Sequence, residues 1–181
     1  YTAGHQRKVG NLSAAIAQKM GLGTSTISLI RITGYLHDIG KIVIPSEVLS
    51  KPGELSQAEM ELIRNHPFLG YDLLNKVEFP PIISETIYQH HERCDGSGYP
   101  RGLTKDEISI ESKIVMVADV LEAILSHRPY RPALGKEAAF DELRKNAGRL
   151  YDKDVVKACL ELFEKDNYSI DDSAYQVYFP V

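Results

Sequence analysis

Tryptophan is absent from this 181-residue sequence, and only two cysteines are present. Cys94 and Cys159 lie far apart and form no Cys-x-x-Cys motif, which gives no support to a zinc ribbon, a deaminase-type ligand pair or a redox dithiol. Two free thiols in a reducing compartment are the simplest interpretation. The sequence therefore predicts a cytoplasmic protein.

A long apolar run and an excess of basic charge are also missing. No apolar stretch approaches the roughly 20 residues needed to cross a bilayer, so we expect no membrane insertion of this segment. The formal net charge is -4, whereas loose binding to long nucleic acid depends on a basic surface, so we expect no such partner. A small anionic ligand in a local positive pocket is still allowed.

The chain has neither an initiator methionine nor a visible signal peptide. Its first residues, from Tyr1 onward, lead directly into a polar helix. We therefore interpret it as a domain excised from a longer protein, in which an N-terminal sensory or receiver domain precedes it.

Apolar residues recur at helical spacing along most of the chain, and no stretch shows the sustained alternation typical of strands. The length suits one well-buried domain. We predict an all-α fold, a compact helical bundle over residues 1–165 with a tail over 166–181 packed on the same domain. The predicted helices cover about 6–20, 24–36, 56–66, a short stretch from 67, 82–92, 110–125, 136–146 and 153–163.

Local signals mark several ends of these helices. Ser56 followed by Glu59 fits a capping box, and Thr104 with Glu107 gives a second one ahead of the long helix. Pro67 suits the first turn of a short helix. Residues 93–105 form a glycine-rich loop.

Several histidines and aspartates lie within or at the ends of predicted apolar helices, which is typical of metal ligands. A lone histidine is more often a satisfied core or surface side chain, but His37 and Asp38 end one apolar helix and Asp119 lies within another. Buried carboxylates beside imidazoles need a compensating cation. These ligands suit iron, zinc or manganese, and an aspartate can bridge two ions. We predict a dinuclear metallohydrolase acting on a phosphodiester, with these candidate ligands: His5, His37, Asp38, His66, His90, His91 and Asp119.

The motifs at these positions resemble those of a known family. Residues 35–42, Tyr-Leu-His-Asp-Ile-Gly-Lys-Ile, look like the signature of the HD phosphohydrolase superfamily. Residues 90–100, which end in Gly98-Tyr99-Pro100, look like the long signature of its HD-GYP branch. Further matches run in the family's order between His5 and about Val156: Lys51-Pro52-Gly53, His66-Pro67 with Gly70, Ala118-Asp119-Val120 and Arg128-Pro129-Tyr130-Arg131.

This resemblance implies a helical bundle around a metal centre that hydrolyses cyclic di-GMP. It places one metal on His5, His37, Asp38 and Asp119, and the second on Asp38, His66, His90 and His91, with Asp38 as the bridge. Iron is the expected metal and manganese the alternative, while zinc or nickel could occupy a purified sample.

The expected number of metals depends on the residue four positions before His5. Relatives with a third metal carry a glutamate there, and this chain has Tyr1. A phenol with a pKa of about 10 replaces a carboxylate poorly, so we expect two metals. The resemblance then implies linear pGpG as the product, with further hydrolysis to GMP as the alternative.

The expected mechanism is in-line attack on phosphorus by a metal-bound hydroxide, with Asp38 and Lys41 as catalytic residues. Lys41 resembles the family's phosphate-contacting lysine, and its alternative is a lysine that favours the helix dipole. Arg128 and Arg131 resemble the pair that meets the second phosphate, and their alternative is two surface arginines. Asp95 could orient a ligand histidine or simply cap its loop.

The residues also allow two other functions. One is a non-catalytic cyclic di-GMP receptor, whose mark would be lost metal ligands, and none is lost. Another is a hydrolase of cyclic GMP-AMP, because no residue can be shown to distinguish guanine from adenine. A cyclic dinucleotide is the expected small-molecule partner, and a homodimer is allowed.

Overall fold

Helices account for nearly all the regular structure in the computed structural model, which describes residues 2–126 and 135–170 and the side chains from residue 4 onward. Within those ranges there are two isolated β-bridges and no extended strand, so the all-α prediction is confirmed. The α-helices are α1 (Thr2–Lys19), α2 (Thr24–Leu36), α3 (Ser46–Leu49), α4 (Gln57–Arg64), α5 (His66–Leu74), α6 (Pro81–Gln89), α7 (Ile110–Leu125), α8 (Lys136–Asn146) and α9 (Lys153–Glu164), and a 3₁₀ helix spans Ile39–Val43.

Several local predictions differ from the structure; among them, α3 and the 3₁₀ helix were not predicted. Helix α6 ends at Gln89 rather than near residue 92, because the chain turns back there through a bond from the Glu92 amide to the Gln89 carbonyl. The Thr104 and Glu107 pair does form, but it closes a turn before α7. Ser109 is the residue that caps α7. The Ser56 and Glu59 capping box at the start of α4 is confirmed.

In the main core, α1, α8 and α9 pack around a central α7. Residues 114–118 of α7 are completely buried in an unbroken run, as is Leu121. On α1, Leu12 and Ile16 face this core and are equally buried. Asp119 directly follows the buried run, so the packing of α7 carries a carboxylate into the interior.

Helices α1 and α2 cross at a pair of glycines. A Cβ atom on Gly34 would lie 2.5 Å from the Cα of Gly10, which is closer than real Cβ contacts come. Neither helix could approach its neighbour so closely with a side chain at this point. The close crossing brings His5 of α1 and His37 at the end of α2 to a ring separation of 5.3 Å.

A third glycine positions the segment that follows His37 and Asp38. A Cβ atom on Gly40 would collide with the backbone carbonyl of His66 and lie 2.6 Å from the amide nitrogen of Gly70. The 3₁₀ helix therefore rests directly on the backbone of α5. This contact places Asp38 beside His66.

Across the described residues, no helix is both long enough and apolar enough to cross a membrane.

We predict that Gly34→Ala destabilises the fold by about 1–3 kcal/mol, because overpacking at a closed contact outweighs the gain in helix propensity. Gly23→Ala is the matched control, since nothing lies within 4 Å of its added Cβ, and we expect a change within about 1 kcal/mol. Urea unfolding followed by circular dichroism measures both values. Equal stabilities for the two variants would contradict the tight crossing.

Candidate metal centre

Three buried histidines share one hydrogen-bonding pattern. The Nδ1 atoms of His37, His66 and His90 lie 2.7, 2.7 and 2.6 Å from the carbonyl oxygen of the residue three positions earlier. Each histidine lies at or just beyond the end of a helix, where the last carbonyls have no amide partner within the helix. Because a carbonyl only accepts, each Nδ1 carries the proton and each Nε2 presents a lone pair.

The predicted ligands converge in two groups. Within each group the potential ligand atoms lie within 4.8 Å of one another. The first group consists of His5, His37 and Asp119, and the second of Asp38, His66, His90 and His91.

Asp38 lies between these groups. Its Oδ1 atom is 3.2 Å from Nε2 of His66, and its Oδ2 atom is 3.6 Å from Nε2 of His37. Asp119 closes the first group, with Oδ1 at 3.7 Å from His37 Nε2 and 3.3 Å from His5 Nε2. One carboxylate thus faces both groups, as the predicted bridge requires.

The donor set fits divalent cations. Nε2 of His37 and Oδ1 of Asp38 are buried and have no hydrogen-bond partner among the residues that the structure describes. The Nε2 atoms of His66 and His90 face each other at 3.2 Å, and with both protons held on Nδ1 this is a contact between two lone pairs. Buried acceptors that point at one another without a donor are costly unless a cation lies between them.

The protonation states match those of metal ligands. Burial lowers the pKa of His90 well below its usual value and that of His91 to about 3. Burial acts to raise the pKa of Asp38, but the neighbouring His37, His66 and Lys41 hold it well below its ordinary range. Hydrogen bonding to His5 helps to lower the pKa of Asp119 in the same way, against the effect of burial. His5 differs: burial acts to lower its pKa, but Asp119 and Glu122 raise it to about 9. Because metals bind neutral imidazoles and ionised carboxylates, His5 would release a proton when an ion binds.

The structure gives Lys41 a definite position, whereas other predicted residues fall outside it. The Lys41 ammonium lies 2.7 Å from Oδ2 of Asp38, at the edge of the site. Its described contact is therefore with a carboxylate of the site and not with the carbonyls at the end of α2. Tyr1, Arg128 and Arg131 lie outside the described residues.

Two glutamates with defined roles were missed by the sequence analysis. Glu122 accepts a hydrogen bond from Nδ1 of His5. Glu92 is fully buried, and its carboxylate accepts the backbone amides of Arg101 at 2.8 Å and Leu103 at 2.9 Å. The available signal for Glu122 was its position one helical turn after Asp119 in an apolar helix.

The glycine-rich loop packs against the site through Tyr99. The Tyr99 ring stacks on that of His91, with centroids 4.8 Å apart and planes 24° from parallel. Asp95 accepts bonds from the amide and the hydroxyl of Ser97, at 3.1 and 2.6 Å. Of the two roles considered for Asp95, loop capping is therefore the one that the structure shows.

The sequence family described as HD domain matches residues 2–155. The chain belongs to the HD domain family. The resemblance of its motifs to HD phosphohydrolases of the HD-GYP branch is thereby confirmed, and the sequence and structural relatives agree with it.

Among curated relatives, a cyclic di-GMP phosphodiesterase of Thermotoga maritima is 43% identical over 160 residues, which cover 87% of this chain and 44% of that protein. The cyclic di-GMP phosphodiesterase response regulator RpfG of Xanthomonas campestris is 40% identical over 161 residues, covering 88% and 43%. A 3'3'-cGAMP-specific phosphodiesterase 1 of Vibrio cholerae is 37% identical over 152 residues, covering 83% and 35%. The chain thus spans less than half the length of these relatives.

Solved structures share the fold at lower identity. Bd1817, an HD-GYP-type protein from Bdellovibrio bacteriovorus, superposes with a TM-score of 0.75 and 22% identity, covering 91% of this chain and 53% of its own. The HD domain of the Listeria monocytogenes phosphodiesterase PgpH, crystallised with cyclic di-AMP, gives a TM-score of 0.63 and 18% identity, covering 93% and 92%.

We predict that manganese stabilises this domain through the two ligand groups. At 100-fold excess over the dissociation constant, binding adds about 2.7 kcal/mol, which corresponds to a rise in melting temperature of about 5–10 °C for a domain of this size. Asp119→Ala should reduce this rise, because it removes a ligand. Asp72→Ala is the matched control, since Asp72 is exposed and pairs with Lys76. Differential scanning fluorimetry with and without chelator measures the shift, and equal shifts in both variants would contradict the site.

Proposed function

We propose that this domain is a metal-dependent phosphodiesterase that hydrolyses a cyclic dinucleotide, cyclic di-GMP above all, to linear pGpG. The observation that carries this proposal is the pair of convergent ligand groups, with the Asp38 carboxylate between them. Relatives that are 43% and 40% identical are cyclic di-GMP phosphodiesterases by name, which supports the same activity.

The proposed ligand assignment follows the two groups. One ion is held by His5, His37, Asp38 and Asp119, and the other by Asp38, His66, His90 and His91. Iron is the proposed metal and manganese the alternative, because imidazole and carboxylate ligands accept both. Bound divalent ions supply Lewis-acid activation of water and stabilise negative charge that develops on phosphate.

The side chains of the chain would orient the phosphodiester and balance its charge. Asp38 is buried, and the buried imidazoles of His37, His66 and His90 are oriented by hydrogen bonds to backbone carbonyls. These side chains would therefore keep their geometry when the substrate binds. Lys41, with its ammonium already at Asp38, would donate to a non-bridging phosphate oxygen. We assign Arg128 and Arg131 to the second phosphate of the ring, where their forked guanidinium groups suit bidentate contacts.

Cyclic GMP-AMP is the second candidate substrate. Three relatives from Vibrio cholerae, between 33% and 37% identical, are 3'3'-cGAMP-specific phosphodiesterases by name. Cyclic di-GMP and cyclic GMP-AMP have the same ring of phosphates and sugars and differ in one purine base. The metal centre therefore suits both cyclic dinucleotides. Parallel rate measurements on the two substrates distinguish these functions, and tight binding without turnover in the metal-loaded protein would instead indicate a receptor.

The proposal extends to the protein that contains this domain. Because the chain spans less than half of its curated relatives, we propose that a sensory or receiver domain precedes it in a cytoplasmic protein. RpfG, a response regulator by name, supports a receiver domain as one such partner. A homodimer is a further proposal, for which sedimentation of the longer protein is the test.

We expect Asp38→Ala to abolish both metal retention and hydrolysis, because it removes the carboxylate shared by both groups. The protein is purified anaerobically, its iron and manganese are measured by elemental analysis, and pGpG is quantified by chromatography. Asp72→Ala serves as the control, and should keep about two ions and full activity. Robust hydrolysis by thoroughly demetallated protein would refute the metal mechanism, and normal activity of Asp38→Ala would refute the bridge.

Lys41→Ala should lower kcat/KM by about 10- to 100-fold while leaving two ions bound. A hydrogen bond to a charged group contributes about 1.5–3 kcal/mol, and this one is expected on the substrate phosphate. Lys76→Ala is the matched control, because Lys76 pairs with Asp72 on the surface. Steady-state kinetics with elemental analysis measures both quantities, and an unchanged kcat/KM would remove Lys41 from the proposed phosphate site.

A further inference from the structure

His5 is oriented differently from the histidines that lie at helix ends. His37, His66 and His90 donate from Nδ1 to backbone carbonyls. His5 lies within α1, where backbone carbonyls are already engaged by amides four residues further on. Its Nδ1 atom donates instead to the carboxylate of Glu122 on α7. Because His5 lies within a helix, its Nδ1 atom takes its hydrogen-bond acceptor from a side chain of another helix.

Glu122 is held in a fixed position in the interior. It is 1% exposed, and its second oxygen accepts a bond from the hydroxyl of Ser126, one turn later on α7. A buried carboxylate with both oxygens engaged has a fixed orientation.

Helix α7 contacts both nitrogens of the same imidazole. Asp119 lies 3.3 Å from His5 Nε2, and Glu122, three residues later, binds Nδ1. Residues three apart share a helix face, so one turn of α7 supplies a ligand of the site and the group that orients its neighbour. The His66 group has no equivalent carboxylate among its described contacts, since its oriented imidazoles use carbonyls.

We propose that Glu122 is a positioning residue that selectively strengthens metal binding at the His5, His37 and Asp119 group, an inference that rests on the two-ion assignment proposed above. A carboxylate acceptor fixes the imidazole tautomer and makes the ligand nitrogen more basic. Loss of such a partner costs about 10- to 100-fold in metal affinity. The two ions therefore differ in how their sites are supported.

The test isolates each group before changing Glu122. In a His66→Ala background, which keeps the His5 group intact, Glu122→Gln should weaken Mn²⁺ binding about 10- to 100-fold. In a His37→Ala background, which keeps the His66 group, the same change should alter affinity by less than about threefold. Free Mn²⁺ is followed by its electron paramagnetic resonance signal during titration, and circular dichroism checks the fold.

Two control variants complete the design. Glu111→Gln removes a carboxylate at the start of the same helix and should change neither affinity. Ser126→Ala leaves the Glu122 carboxylate in place and should weaken only the His5 group, by a smaller factor, which keeps the proposal testable if Glu122→Gln fails to fold. Glu122→Asp keeps the charge and should bind Mn²⁺ more tightly than Glu122→Gln.

The inference is overturned if Glu122→Gln leaves the His5 group unchanged or weakens both groups equally. It is also overturned if Ser126→Ala has no effect where it is the only folded variant. These results differ from failure of the proposed function, in which the unaltered chain would bind no pair of ions or would not hydrolyse the dinucleotide.

Discussion

The position of the Asp38 carboxylate is the constraint on which the site depends. Its two oxygens face histidines from different helices, His66 on one side and His37 on the other, while Lys41 contacts the second oxygen from the edge. A buried ionised carboxylate is stable only when cations, metal ions or hydrogen-bond donors compensate its charge. The packing around it, including the contact of Gly40 with α5, brings these partners together.

Helix ends supply much of the precision of the ligand set. A carbonyl in the last turn of a helix has no amide partner of its own, and His37, His66 and His90 each use one to orient the ring. The fold therefore satisfies its own unpaired acceptors and orients three imidazoles with the same bonds. The family relationship and the geometry agree on a centre that binds divalent cations.

Sequence reasoning succeeded where local signals decide the structure. Helices α2, α7 and α8 have the predicted bounds. The seven ligand candidates lie close together in two groups, and their role as ligands stays a prediction. It missed the roles of Glu92 and Glu122, because Arg101, Leu103 and His5, to which they bind, lie 9 to 117 residues away along the chain and are brought close by tertiary packing. It also misplaced the end of α6, where the chain turns back through the bond from the Glu92 amide to the Gln89 carbonyl.

The glycine crossing of α1 and α2 makes the metal centre depend on a place that contains no functional group. His5 lies five residues from Gly10, about 7.5 Å along the helix axis. A small tilt of α1 at the crossing would therefore displace the His5 imidazole. Glycine is the smallest residue, and every replacement at Gly34 adds volume against the Gly10 backbone. Any substitution at Gly34 can therefore only increase the distance between α1 and α2, and so can shift the His5 imidazole in one direction only.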